Sequence, residues 1–126
     1  MRKINYDLDD RLIDFGVLII EISETVDKTR DAARYLGGQL VRSGTSPGLH
    51  YGEAQAAESR KDFIHKMKVI HKELNETCRN LKMIKRARLH LNTAKIESVL
   101  DECNELSAII GKSIITAKRN ADQQKN

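Results

Sequence analysis

Tryptophan is absent from this chain of 126 residues, proline occurs once, and aromatic residues make up 4% of the total. So few aromatics, with no segment alternating apolar and polar over a strand's length, argue against a sheet-based fold. Long apolar runs are also missing. The longest, Val17 to Ile20, has four residues, against the roughly 18–20 needed to cross a membrane. The N-terminal stretch MRKINYDLDD turns acidic where a signal peptide would need its apolar region. The chain is therefore expected to be cytoplasmic, with no membrane partner. The two cysteines, Cys78 and Cys103, fall within predicted helices, which excludes a disulfide framework and predicts buried, reduced thiols.

What is present is helical. At this length one domain is expected, spanning residues 1–126 and large enough for a real core. The clearest segment is residues 60–88. There Phe63, Met67, Ile70, Leu74, Thr77, Leu81 and Ile84 recur at alternating spacings of four and three, the signature of a bundle seam. On the opposite side Lys61, His65, Lys68, Lys72, Asn75, Arg79, Lys82 and Arg86 recur at the same spacing. Ser59, three residues before Asp62, gives a capping-box-like start. An acidic first turn and a basic last turn suit the helix dipole.

Three further helices are predicted. The first runs from about Asp9 to Val26 on a seam of Leu12, Phe15, Ile19, Ile22 and Val26. Ile13, Val17, Leu18 and Ile20 widen its apolar surface beyond what one neighbouring face can cover. That excess predicts association between subunits in preference to a central place inside a monomer. The second begins near Arg30, capped by Asp27 or Thr29, with Ala33, Leu36, Gly37, Leu40 and Val41 inward. Gly44, Pro47, Gly48 and Gly52 then weaken it, and the residues alone predict a break or strong kink, with the helix resuming to end near Ala56. The fourth, capped by Asn92 or Thr93, has Ile96, Val99, Cys103, Leu106, Ile110, Ser113 and Ala117 on its seam. Its polar tail, NADQQKN, is expected to fray. Four long helices with short connections give an all-α, antiparallel up-down-up-down four-helix bundle.

Charge is uneven. Residues 1–56 sum to −2, residues 57–91 to +6, and residues 92–126 to zero. The positive excess sits on the third helix and the loop after it. Lys61, Lys68, Lys72, Arg79, Lys82 and Arg86 are candidates for contacting RNA or DNA phosphates, with Lys85 and Arg88 beside them. A solvated outer face is the first account of such a row. No aromatic interleaves it, so base stacking is not expected and binding should be non-specific and salt-dependent.

Catalytic signals are sparse. There is no Gly-rich phosphate loop, nucleophile elbow or zinc-type cysteine pairing, and no cofactor is implied. His65 and His71 are six apart and cannot chelate one metal as i, i+4 histidines do. His71 falls on a boundary stripe with Ile64, Cys78 and Lys85. His50 and His90 fall near helix ends or loops without visible partners. Arg60 and His65 fit the loose Arg-x4–6-His pattern of HEPN ribonucleases, but a chain with ten arginines and four histidines yields about one such match by chance. The chain is expected not to be an enzyme.

Residues 39–77 carry a more specific pattern. Arg42-Ser43, Ser46, Glu53-Ala54, Ser59-Arg60, Asp62-Phe63, Lys72-Glu73 and Glu76-Thr77 resemble the bacterial four-helix-bundle family first named for 23S ribosomal RNA intervening-sequence proteins. His50 stands where that family commonly has Asn, and Cys78-Arg79-Asn80 replaces an aromatic pair before Leu81. The resemblance implies an antiparallel bundle assembled as a homopentameric ring, with the second helix kinked near Pro47 but not broken. It implies relatives encoded within ribosomal RNA intervening sequences, and others that bind a reverse transcriptase and nucleic acid in diversity-generating retroelements. It implies no defined active site. Arg42, Ser43, Ser46, Glu53 and Glu76 are read as structural. The hydroxyls would re-satisfy carbonyls freed by Pro47, and Arg42 would pair with Glu53 or Glu76 across helices two and three.

Overall fold

The computed structural model describes residues 7–125 as four helices: α1 (Leu8–Thr25), α2 (Asp31–Gln55), α3 (Arg60–Arg86) and α4 (Thr93–Lys125). Consecutive helices pack along their lengths, and no strand occurs among the described residues. The α1–α2 and α3–α4 connections meet at one end, where the Asp27 amide donates to the Leu89 carbonyl at 2.9 Å. This is the all-α four-helix bundle that the seams predict. The expected seam residues of α1 are all buried, as are those of α3 from Met67 to Ile84, and Phe63 is partly buried. Each large aliphatic side chain so enclosed contributes about 1.5–3 kcal/mol.

The caps explain the boundaries. Asp7 accepts from the Asp9 amide at 3.1 Å and starts α1. Ser59 accepts from the Asp62 amide at 3.0 Å and starts α3. Asn92, not Thr93, starts α4 by accepting from the Lys95 amide at 3.0 Å. For α2 neither expected cap serves. Asp27 instead holds the connection, accepting from the Thr29 amide and hydroxyl, and Arg30 at the N-cap makes no side-chain cap. The tail expected to fray continues α4 through Lys125. Asn126 lies outside the described residues.

α2 runs unbroken through Pro47, so the break that the residues alone predict does not form. Tertiary packing overrides the local penalty because the small residues are needed. A Cβ on Gly48 would lie 3.0 Å from the Leu12 carbonyl oxygen, and one on Gly44 would lie closer still to Ile19, at 2.7 Å. The hydroxyls of this stretch do not serve the carbonyl freed by Pro47. Thr45 donates to the Val41 carbonyl at 2.6 Å, Ser46 bonds the His50 ring at 3.0 Å, and the buried Ser43 and Thr77 hydroxyls share a 2.8 Å hydrogen bond across α2 and α3.

α1 and α4 meet less extensively than the other adjacent pairs. Arg11 grips Glu102 with two 2.8 Å hydrogen bonds and contacts Glu105 at 2.8 Å; Lys95 pairs with Glu21 at 2.7 Å. Those two carboxylates raise the Arg11 pKa further above its ordinary value. Helix lengths account for the limited seam. α1 has 18 residues and α4 has 33, roughly 27 Å against 50 Å at ~1.5 Å per residue. Only Leu8, Asp9 and Asp10 of α1 precede Arg11, whereas α4 continues from Glu105 to Lys125. Among the described residues α1 therefore runs beside only part of the length of α4.

Candidate nucleic-acid interface

The amphipathic period of α3 turns one face to the core and the opposite face to water. Lys61, His65, Lys68, Lys72, Asn75, Arg79, Lys82 and Arg86 are all exposed. From Lys61 to Arg86 the row extends roughly 38 Å. Among the described residues, none of Lys61, Lys68, Lys72, Arg79, Lys82 and Arg86 enters an ion pair.

The carboxylates of α3 are committed elsewhere. Asp62 pairs with Lys66 one turn on, at 3.1 Å. Glu73 and Glu76 both turn to Arg42 of α2, Glu73 at 3.1 Å. Arg42 is about half exposed (51%), so this is a surface clamp, and its partners are Glu73 and Glu76. Glu53 sits apart, 4.0 Å from His50. α4 adds to the positive field: Lys118 lies against Lys68, and that like-charge contact lowers the Lys68 pKa. Lys85, beside the row, pairs with Glu97 at 3.2 Å, whereas Arg88 is exposed in the turn that follows.

The histidines have partners that sequence spacing could not show. His50 lies within α2, and the crossing of α2 over α3 brings it to a hollow of about 290 Å³ shared with Glu53, His65, Lys66 and Val69. Arg60 lines a different cleft, below Phe63 and against α4. The Arg60–His65 pair is therefore not assembled at one hollow. His90 contacts Thr25 Oγ1 at 2.6 Å and accepts from the Asn92 amide at 3.0 Å. Burial and the nearby Lys95 lower its pKa. His71 is half-buried, packed on Gly111. Cys78 and Cys103 are free and buried. Their mutual hydrogen bond, and then burial, push the Cys103 thiol up, which keeps it protonated. No group of three or more His, Cys, Asp or Glu side chains among the described residues could hold a metal ion, and no helix is long and apolar enough to cross a membrane.

A second surface lies between α1 and α2. Ile13 and Val17 are 47% and 48% exposed and Leu49 is 72% exposed. They edge an apolar groove of about 650 Å³ floored by Leu12, Gly16 and Thr45. α1 is thus not central in the monomer: of its excess apolar residues Ile13, Val17 and Ile20 face outward, whereas Leu18 packs partly buried against the core.

The fold and its outward cationic row define a four-helix bundle of basic outer face. Over residues 7–112 the chain matches the family described as 23S rRNA-intervening sequence protein, and it belongs to that family. Among solved structures it is similar to a protein of unknown function from the S23 ribosomal protein family of Bacteroides thetaiotaomicron. The two are 28% identical with a TM-score of 0.76, over 85% of this chain and 97% of that one. No curated protein matches the chain.

Proposed function

We propose that this chain is a non-enzymatic, cytoplasmic bundle that self-associates and binds RNA or DNA phosphates along the outer face of α3. One observation carries the reading: among the described residues six outward cations have no carboxylate partner, while Asp62, Glu73 and Glu76 of the same helix are drawn to other cations. A merely solvated helix face gains from interspersed signs. A row of one sign is retained at a cost in repulsion, as at Lys68 and Lys118, and a polyanion relieves it. The family's description, tied to 23S rRNA, favours the same ligand class.

Self-association is proposed through the groove edged by Ile13, Val17 and Leu49. The family resemblance points to a homopentameric ring, in which five rows act together and modest contacts gain from avidity. The same apolar groove supports the second reading, a purely protein-binding scaffold. Light scattering combined with filter binding at low salt separates them. Retention of RNA at micromolar protein, falling steeply with salt, is expected; a ring that retains no nucleic acid would leave only the scaffold.

A further inference from the structure

Because α1 stops short, the end of the bundle between the α2–α3 turn and the C-terminal half of α4 is open. It forms a cleft of about 840 Å³, the largest of those described. Its floor is apolar, from Ala54, Phe63 and Ile109. Its walls carry donors: the Arg60 guanidinium, the Lys112 ammonium, the Ser113 and Thr116 hydroxyls and the Asn120 amide.

Arg60 is the anomaly. Among the described residues its Nη1 is buried with no hydrogen-bond partner, and the guanidinium makes no ion pair. A buried guanidinium nitrogen left unpaired is costly. Lys112 likewise enters no ion pair among the described residues. The one carboxylate lining the cleft, Glu58, is exposed and pairs with neither. The start of α3 adds its positive dipole end.

We propose that this cleft is a binding site for a small organic oxyanion, a phosphate monoester or carboxylate carried on an apolar body, with Arg60 as its anchor. Arg60 offers a planar fork suited to two oxygens. Lys112 supplies the second charge, and Ser113 and Thr116 complete the donor set. Phe63 and Ile109 take the apolar body. The site is separate from the basic row, and it stands or falls independently of nucleic-acid binding.

The test is an NMR titration of the full chain with phenyl phosphate, benzoate, inorganic phosphate and benzyl alcohol. Phenyl phosphate or benzoate, whichever the site prefers, should shift amides at Arg60, Phe63, Ser113, Thr116 and Asn120. It should bind at least tenfold more tightly than inorganic phosphate or benzyl alcohol. Arg60→Gln should weaken it tenfold or more, and Thr116→Phe, which fills the cleft from an exposed position, should abolish it. Lys68→Gln should leave it unchanged. Equal binding to Arg60→Gln, shifts that follow the α3 row, or no saturation by either aromatic anion at 10-millimolar concentrations (on the order of the weakest specific sites) would overturn the proposal.

Discussion

Gly44 of α2 lies so close to Ile19 of α1 that a Cβ on Gly44 would stand 2.7 Å from both Cγ1 and Cγ2 of Ile19. Ile19 is fully buried, so it has no space to yield into. Gly44→Ala should therefore destabilise the bundle by about 1–3 kcal/mol through overpacking, less up to ~1 kcal/mol regained in helix propensity. Ile19→Ala alone should cost about 2–5 kcal/mol. In the double variant the clash disappears, so the two costs should be less than additive in urea denaturation. Strict additivity would show that Gly44 is not there for close approach.

Arg88 is the one non-glycine residue at positive φ among those described, at 56°. It sits just past the α3 C-cap, where the Leu89 amide donates to the Ile84 carbonyl at 3.0 Å and the Arg88 amide to the Lys85 carbonyl at 3.2 Å. That is a Schellman closure with buried Leu89 beside its C3 partner, Ile84, also buried. Glycine fits this position without Cβ strain. Arg88→Gly should stabilise the protein by about 1 kcal/mol, raising Tm by roughly 3–5 °C. An unchanged or lower Tm would show that the arginine side chain offsets the strain.

Much of the fold is legible because its signals are local and periodic. The α3 seam and the Ser59 cap depend on spacings within one helix, and both appear where the spacing puts them. The Pro47 region misleads for the converse reason. Its penalties are local, but the close approach of Gly44 and Gly48 to α1 is a tertiary gain. The clamp of Arg11 on Glu102 spans 91 residues and has no periodic trace. The basic row is visible as a stripe, whereas its lack of partners is not. Arg42 and Glu76 could be matched from sequence, but Glu73 joins them only through the crossing of α2 and α3. Arg60 is visible in the sequence as half of a weak ribonuclease pattern and as part of the Ser59-Arg60 family motif, and neither shows its buried, unpartnered nitrogen. The short first helix was the available signal for the cleft it lines.

Ile13 and Val17 face outward from α1 without contributing to the monomer core. Placing charge there should cost the folded monomer little, within about 0.5 kcal/mol, yet force charged groups to desolvate in any interface that uses the groove. Ile13→Glu with Val17→Lys should convert the expected ring to monomers in light scattering while helical circular dichroism is retained. A variant that stays oligomeric would move the interface elsewhere.

If the α3 row contacts phosphates, replacing three of its lysines removes three counterion-releasing contacts per chain. Lys68→Gln, Lys72→Gln and Lys82→Gln together should lower the slope of log affinity against log salt by about 2.7 per bound chain on duplex DNA. These side chains are exposed and outside ion pairs, so stability should change little. A slope equal to wild type would exclude these lysines from the interface.

His90 links stability to pH with a definite sign. Its Nδ1 accepts from the Asn92 amide, and the Thr25 hydroxyl beside Nε2 already donates to the Glu21 carbonyl at 2.7 Å. The folded site therefore suits a neutral ring protonated at Nε2, and burial followed by Lys95 lowers its pKa. Below the unfolded value of about 6.5 the unfolded chain binds the proton more readily. The stability His90 contributes is thus fully present above that pH and is lost as pH falls through the folded pKa. His90→Gln keeps a neutral polar side chain and removes the titration. The stability difference between wild type and His90→Gln, measured by urea denaturation, should shrink from pH 7.5 to pH 5, because all other titrating groups are common to both. A difference that stays constant or grows on acidification would mean that His90 is protonated in the folded state and that the Asn92 contact does not hold it neutral.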